Sequence, residues 1–279
     1  MPDILLHLVS PIIASILYAG LGLHFWKTRW HSLRKNPAHL AMQHWERGAI
    51  GIAFCFQALS LYDALFGEPG MRFSFGLALS LMLWLAVLIY WLESFRSRMD
   101  GLQPAVLPAA ALCALIPVFF PQSHLIAHAK DWGFKFHFMA AMLAYSLFTL
   151  AALQAGFMSI VEKKLHQKTL SPMLASLPPL LRVESLLFQL IWIGFICLTL
   201  ALGSGLLFSE TIFNQAFRLN HKSVFAFASW IIFAALLSGR TIYGWRGRIA
   251  LRWTMTGFLF LLLAYIGSRF VIEVVLGRP

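Results

Sequence analysis

The sequence predicts an all-α fold: a polytopic integral membrane bundle of about eight transmembrane helices with both termini outside. Three observations carry this. Hydrophobic residues make up 59% of the 279-residue chain, charged residues only 12%, and mean hydropathy is +0.74. A soluble domain needs about 25% charged residues to solvate its surface. The apolar residues are also gathered into eight long runs, and lysine and arginine are unequally shared between the connections on the two sides.

The runs extend from about Ile4 to Phe25, Gly48 to Phe66, Phe73 to Leu92 and Leu102 to Phe120. Four more extend from Phe136 to Val161, Ser185 to Phe208, Val224 to Leu237 and Trp253 to Ile272. All but the seventh, which looks short because its flanks are polar, approach or exceed the roughly 20 residues that an α-helix needs to cross a bilayer. The fourth is the weakest, being short and holding Pro104, Pro108 and Pro117. Proline is tolerated in a bilayer helix when neighbours satisfy the freed carbonyls. The seventh extends over Ser238 and Gly239 to Arg240. The first carries Asp3 where a cleaved signal has a basic region, and no small-residue cleavage site follows, so it is expected to remain as a span.

Orientation follows from the basic residues. Fifteen lie on one side: Lys27, Arg29, Arg34, Lys35, Arg47, Arg96, Arg98, Lys163, Lys164, Lys168, Arg182, Arg240, Arg246, Arg248 and Arg252. Seven lie on the other: Arg72, Lys130, Lys135, Arg218, Lys222, Arg269 and Arg278. The richer side is cytoplasmic by the positive-inside rule, which sets both termini outside. The net charge of +11 is thus a topology signal. Basic residues dispersed over separate loops do not make a nucleic-acid surface. The bilayer is the first partner.

Cys55, Cys113 and Cys197 lie in apolar runs without a CxxC, which argues against a disulfide relay or thiolate metal site. No GxSxG, P-loop, GxGxxG or paired-carboxylate motif is present. Inverted repeats or interrupted mid-membrane helices, the marks of a transporter, are not evident. Asp63 lies near the outer end of its span, where solvation accounts for it.

Ten histidines remain. His137 heads a stripe of Ala141, Ala144, Tyr145 and Phe148 on one helical face. That pattern suits either close packing with a boundary hydrogen bond or an iron ligand above an apolar surface. His221 stands with Arg218 and Lys222 among Phe217, Phe225, Phe227 and Trp230. An imidazole, two cations and several rings match a flat macrocycle bearing carboxylates, and equally an interfacial aromatic belt. His124 and His128 are four apart but lack a third ligand. His31, His39 and His44, with Trp26, Trp30 and Trp45, read as a membrane-surface segment.

Four landmarks, in order, resemble the cytochrome c assembly (CcsA/CcmC/CcmF) superfamily of haem-handling membrane proteins, in its YpjD-like, HemX-related branch. They are His137-x7-Tyr145-x2-Phe148; Glu184-Ser-Leu-Leu through Gly194-Phe195 to Leu198-Thr199; Lys222-x7-Trp230-x2-Phe233 with Arg240 and Gly244-Trp245-Arg246-Gly247-Arg248; and Gly257-Phe258 with Tyr265-Ile266-Gly267. The resemblance is strongest over 134–270 of what reads as one domain, 1–279; the first half agrees only in hydropathy. It implies a bacterial inner-membrane protein that holds haem near the outer face, with His137 matching the first of an outer histidine pair. It implies cytochrome c biogenesis proteins or apocytochrome c as partners. His221 is the candidate second iron ligand, Arg218 and Lys222 are propionate partners, and Trp132, Phe217, Phe225 and Trp230 are shelf candidates. The chain departs from the pattern in four places. Ser209 to Val224 lacks the tryptophan-rich signature, and Asn220 replaces an aspartate. Ser238 stands where relatives carry a transmembrane haem histidine, and no histidine follows Gly267. A through-membrane haem conduit and a complete lyase are therefore not expected. A regulatory or scaffolding HemX-like protein without haem is the alternative, and a transporter a third.

Overall fold

A computed structural model describes residues 2–30, 42–66, 71–95, 102–120, 124–125, 129, 131–166, 180–207 and 221–271. The helices are α1 (Pro2–Phe25, continued by a π-helical turn, Trp26–Trp30), α2 (His44–Phe66), α3 (Phe75–Glu93) and α4 (Gln103–Phe119). They continue with α5 (Trp132–His166), α6 (Leu180–Leu207), α7 (His221–Tyr243) and α8 (Arg248–Leu262). A π-helical turn, Leu263–Gly267, leads α8 into a last helical turn, Ser268–Phe270.

Among the described residues, seven helices are long and apolar enough to cross a membrane. With the apolar α4, they meet the expectation of an all-α polytopic bundle. α4 has 17 residues, and at about 1.5 Å per residue it measures roughly 26 Å, somewhat under a 30 Å hydrocarbon core. Pro104 falls in its first turn, where no amide partner is lost, while Pro108 and Pro117 lie inside the helix. Close packing surrounds both inner prolines: Gly22 of α1 faces Pro108, and Gly76 of α3 faces Pro117. α7 runs through Ser238 and Gly239 to Tyr243, as its polar end suggested.

Side-chain pairs fix the helix directions. α5 and α6 are antiparallel, with His137 beside Ala201, Phe148 against Gly194 and Gln154 bonded to the Val183 carbonyl. α8 is antiparallel to α5 through Tyr145–Leu261 and Glu162–Arg248. α7 is antiparallel to α6 through Trp230–Thr199 and Arg240–Glu184. One end of the bundle therefore holds His137, Ser204 and His221; the other holds Glu162, Glu184, Arg240 and Arg248. Pro2 and Phe270 stand at the His137 end: Phe270 meets Phe75 at the start of α3, while α1 delivers His24 to Glu46 at the opposite end.

One aromatic layer organises α5 to α8. The rings of Phe148 and Phe233 stack at 3.8 Å. Gly194 and Gly257 make room for them: a Cβ at Gly257 would lie 2.8 Å from Phe233 and one at Gly194 would lie 3.2 Å from Phe148. Only a helix lacking a side chain there approaches so closely. The first four helices form their own packed half, in which Trp84 stacks on Phe54 and donates to its carbonyl, 3.1 Å away. α3 joins this half to α5. A short antiparallel ladder, β1 (Arg72–Phe73) with β2 (His124–Leu125), ties the α2–α3 connection to the α4–α5 connection.

Candidate functional site

His137 lies in the second turn of α5, facing α6. Its Nδ1 is 3.0 Å from the Ala201 carbonyl and 3.2 Å from Ser204 Oγ. A carbonyl oxygen only accepts, so Nδ1 carries the proton and donates it to Ala201. Ser204 Oγ itself donates to that carbonyl, 3.0 Å away. The other ring nitrogen, Nε2, then presents its lone pair, the form in which histidine binds a metal. Gly205 leaves space for the ring, since a Cβ there would lie 3.3 Å from His137 Cε1.

An aromatic cluster begins at Phe138, the residue after His137. Phe134 and Phe138 stack on the same helix, with centroids 5.9 Å apart. Phe73, delivered by β1, meets Phe138 edge-on at 5.1 Å and Tyr265 at 6.0 Å. Tyr265 stands in the π-helical turn, whose origin is local. The Tyr145 hydroxyl donates to the Leu261 carbonyl at 2.8 Å and accepts a bond from the Tyr265 backbone. Those two backbone groups would bond each other in an α-helix, so an inserted hydroxyl widens the turn.

His221 is the first residue of α7 and is exposed. It stands at the depth of His137: the two lie twelve and eleven residues above the stacked Phe233 and Phe148, roughly 17 Å along each axis. Direction separates them. At ~100° per residue, His137 shares the face of Phe148, whereas His221 is turned about 120° from that of Phe233. Among the described residues no contact joins the two imidazoles. Lys222, half-buried, shares the Phe233 face instead.

The other predicted residues scatter. Trp132 is 80% exposed, at the start of α5. Trp230 donates to Thr199 Oγ1 at 2.9 Å and stacks on Phe195. That contact lies on the far side of α6 from Ala201 and Ser204, so the helix separates Trp230 from His137. Phe225 meets Phe260 of α8 at 5.9 Å. Phe217, Arg218 and His128 lie outside the described residues. The cluster of Phe73, Phe134, Phe138 and Tyr265 escaped the sequence reading. Phe134 and Phe138 were within reach of it, flanking His137 in sequence; Phe73 arrives only through the β-ladder. Among the described residues no group of three His, Cys, Asp or Glu side chains is placed to hold a metal ion.

The family model for cytochrome C assembly protein matches residues 52–276. The chain belongs to the cytochrome c assembly family. This family member is 28% identical over 236 residues to the inner membrane protein YpjD of Escherichia coli K12, covering 83% of this chain and 89% of that one. It is 32% identical over 143 residues to an uncharacterized 28.8 kDa protein of Azospirillum brasilense, half of each chain. It is also 36% identical over 89 residues to the cytochrome c biogenesis protein CcsA of Prochlorococcus marinus MIT 9301, 32% of this chain and 29% of that one. No solved structure matches. A multi-pass membrane protein of cytochrome c assembly is what sequence, fold and kinship give together.

Proposed function

We propose that this chain is a haem-handling accessory protein of the bacterial inner membrane that holds haem near the outer face, with His137 as an iron ligand. The observation that carries the reading is the imidazole: Nδ1–H is held by Ala201, Nε2 is left as a lone pair, and an aromatic cluster starts at the next residue, Phe138. The donor chemistry suits haem iron, whose usual protein ligand is a neutral histidine nitrogen. Bound haem would supply the iron and the side groups that become attached to an apocytochrome. The chain's own part is to hold and orient: His137 at the iron, Phe73, Phe134 and Phe138 as apolar surface, Lys222 and Arg218 toward the propionates. His221 remains the candidate second ligand at the same rim. Its direction favours a site held mainly from one side, suited to passing its cargo on.

The outer placement rests on the fifteen-to-seven distribution of basic residues, which sets the Arg240 end in the cytoplasm and both termini outside. Cysteine labelling tests it. In a chain freed of its three native cysteines, Asp131→Cys should react with a membrane-impermeant maleimide on intact cells. Lys163→Cys should react only after permeabilisation, and the opposite pattern inverts the topology.

The missing tryptophan-rich signature favours a second reading, a regulatory or scaffolding protein without haem of its own. Titrating the purified protein with haem in mild detergent separates the two. A saturable Soret band at one haem per chain is expected. A spectrum unchanged from haem in empty micelles would leave the scaffold.

A further inference from the structure

Arg252 stands within the candidate span Arg248–Gly267, one turn beyond the start of α8, and is exposed. Met255 and Leu259 follow three and seven residues on and are exposed too. All three lie within about 60° of one another around the helix. A guanidinium thus heads an apolar stripe on the outside of the bundle.

Among the described residues the surroundings add positive charge. Both nearby carboxylates are engaged, Glu162 by Arg248 and Glu184 by Arg240. Lys163 and Arg182, beside those carboxylates in sequence, are exposed. Arg246 is exposed on the α7–α8 turn, between Gly244 (φ 66°) and Gly247 (φ 54°). Two left-handed glycines make that turn tight, holding Arg246 close to the start of α8. Tyr243, 75% exposed, and Ile249 flank the turn with apolar surface suited to an interface.

We infer that the α7–α8 turn and the outer face of α8 form a binding site for an anionic phospholipid, its headgroup on Arg246 and Arg252 and an acyl chain along Met255 and Leu259. A cation within a span needs an anion at its own depth, and phosphate at the membrane surface supplies one. The continuous apolar stripe below Arg252 is what separates a lipid from a soluble anion or an acidic peptide, which would use the cations alone. Lys163 and Arg182 bias the rim toward a headgroup with net negative charge.

The test uses the full chain in nanodiscs of phosphatidylcholine with or without phosphatidylglycerol. Phosphatidylglycerol should raise the thermal midpoint, and native mass spectrometry should find it retained on the released protein. Arg246→Gln with Arg252→Gln should leave the phosphatidylcholine midpoint unchanged and weaken retention about thirtyfold, the effect of two basic side chains at a membrane surface. If that pair fails to fold, Arg252→Gln alone should weaken retention about fivefold. Equal midpoints in the two lipids, or undiminished retention by the variants, would overturn the assignment. So would equal protection by inorganic phosphate in detergent, which would mark a soluble-anion site.

Discussion

Replacing His137 by alanine is expected to abolish the haem Soret band, weakening binding on the order of 100-fold or more. Loss of a group that merely orients a metal ligand costs 10–100-fold, and here the ligand itself goes. His221→Ala is expected to cost far less, because His221 is exposed and turned off the face of α7 that meets α5. Ser204→Ala should fall between: the Ala201 carbonyl still holds Nδ1, but the hydroxyl that also contacts it is gone. The fold should survive all three, because the core of this half is the Phe148–Phe233 layer well below. Absorbance titration against circular dichroism melting separates ligand loss from unfolding. A Soret band of undiminished affinity in the His137→Ala protein would refute the ligand assignment. Equal losses for His137 and His221 would instead restore the two-histidine clamp.

Removing Arg240 should produce the largest loss of stability. Its Nη1 donates to Glu184 Oε1 at 3.1 Å and to the Trp245 carbonyl at 3.3 Å, and its guanidinium lies 4.6 Å above the Phe188 ring. Glu184 is buried, so Arg240→Ala strands a carboxylate where water reaches it poorly. Breaking such a pair costs about 3 kcal/mol or more. The neighbouring Arg248–Glu162 pair is longer, 3.6 Å, and its arginine side chain is 59% exposed, so Arg248→Ala should cost under about 1 kcal/mol. Pairing Arg240→Met with Glu184→Leu should recover most of the loss, since apolar replacement of both partners removes the stranded charge. Thermal unfolding in one detergent compares all of these. Equal destabilisation by Arg240→Ala and Arg248→Ala would show that burial does not set the cost.

These two arginines show where sequence reading stops. Both were legible as topology signals at the end of a span. Nothing in their spacing told which would find a buried carboxylate, because Glu184 and Glu162 lie 56 and 86 residues away. The same holds for aromatic residues. Trp230 and Phe233 are three apart on α7, yet one stacks on Phe195 and the other on Phe148, on different neighbours. Of the shelf candidates Trp132, Phe217, Phe225 and Trp230, Phe217 lies outside the described residues and the other three point to different surroundings; the rings that gather beside Phe138 instead include one from a two-residue strand.

By itself the sequence determined the all-α membrane class, where the apolar runs lie, and the membership of a haem-handling family. Those depend on properties each residue carries alone, apolarity and charge, summed over a run as long as a bilayer is thick. Tertiary structure decided which nitrogen of His137 is bare, why α8 opens into a π-turn at Tyr265, and which way His221 faces. Each is set by a partner across a helix interface, at distances near 3 Å for His137 and Tyr145. Hydropathy leaves such contacts open, because rotating a helix changes them while its average composition stays the same.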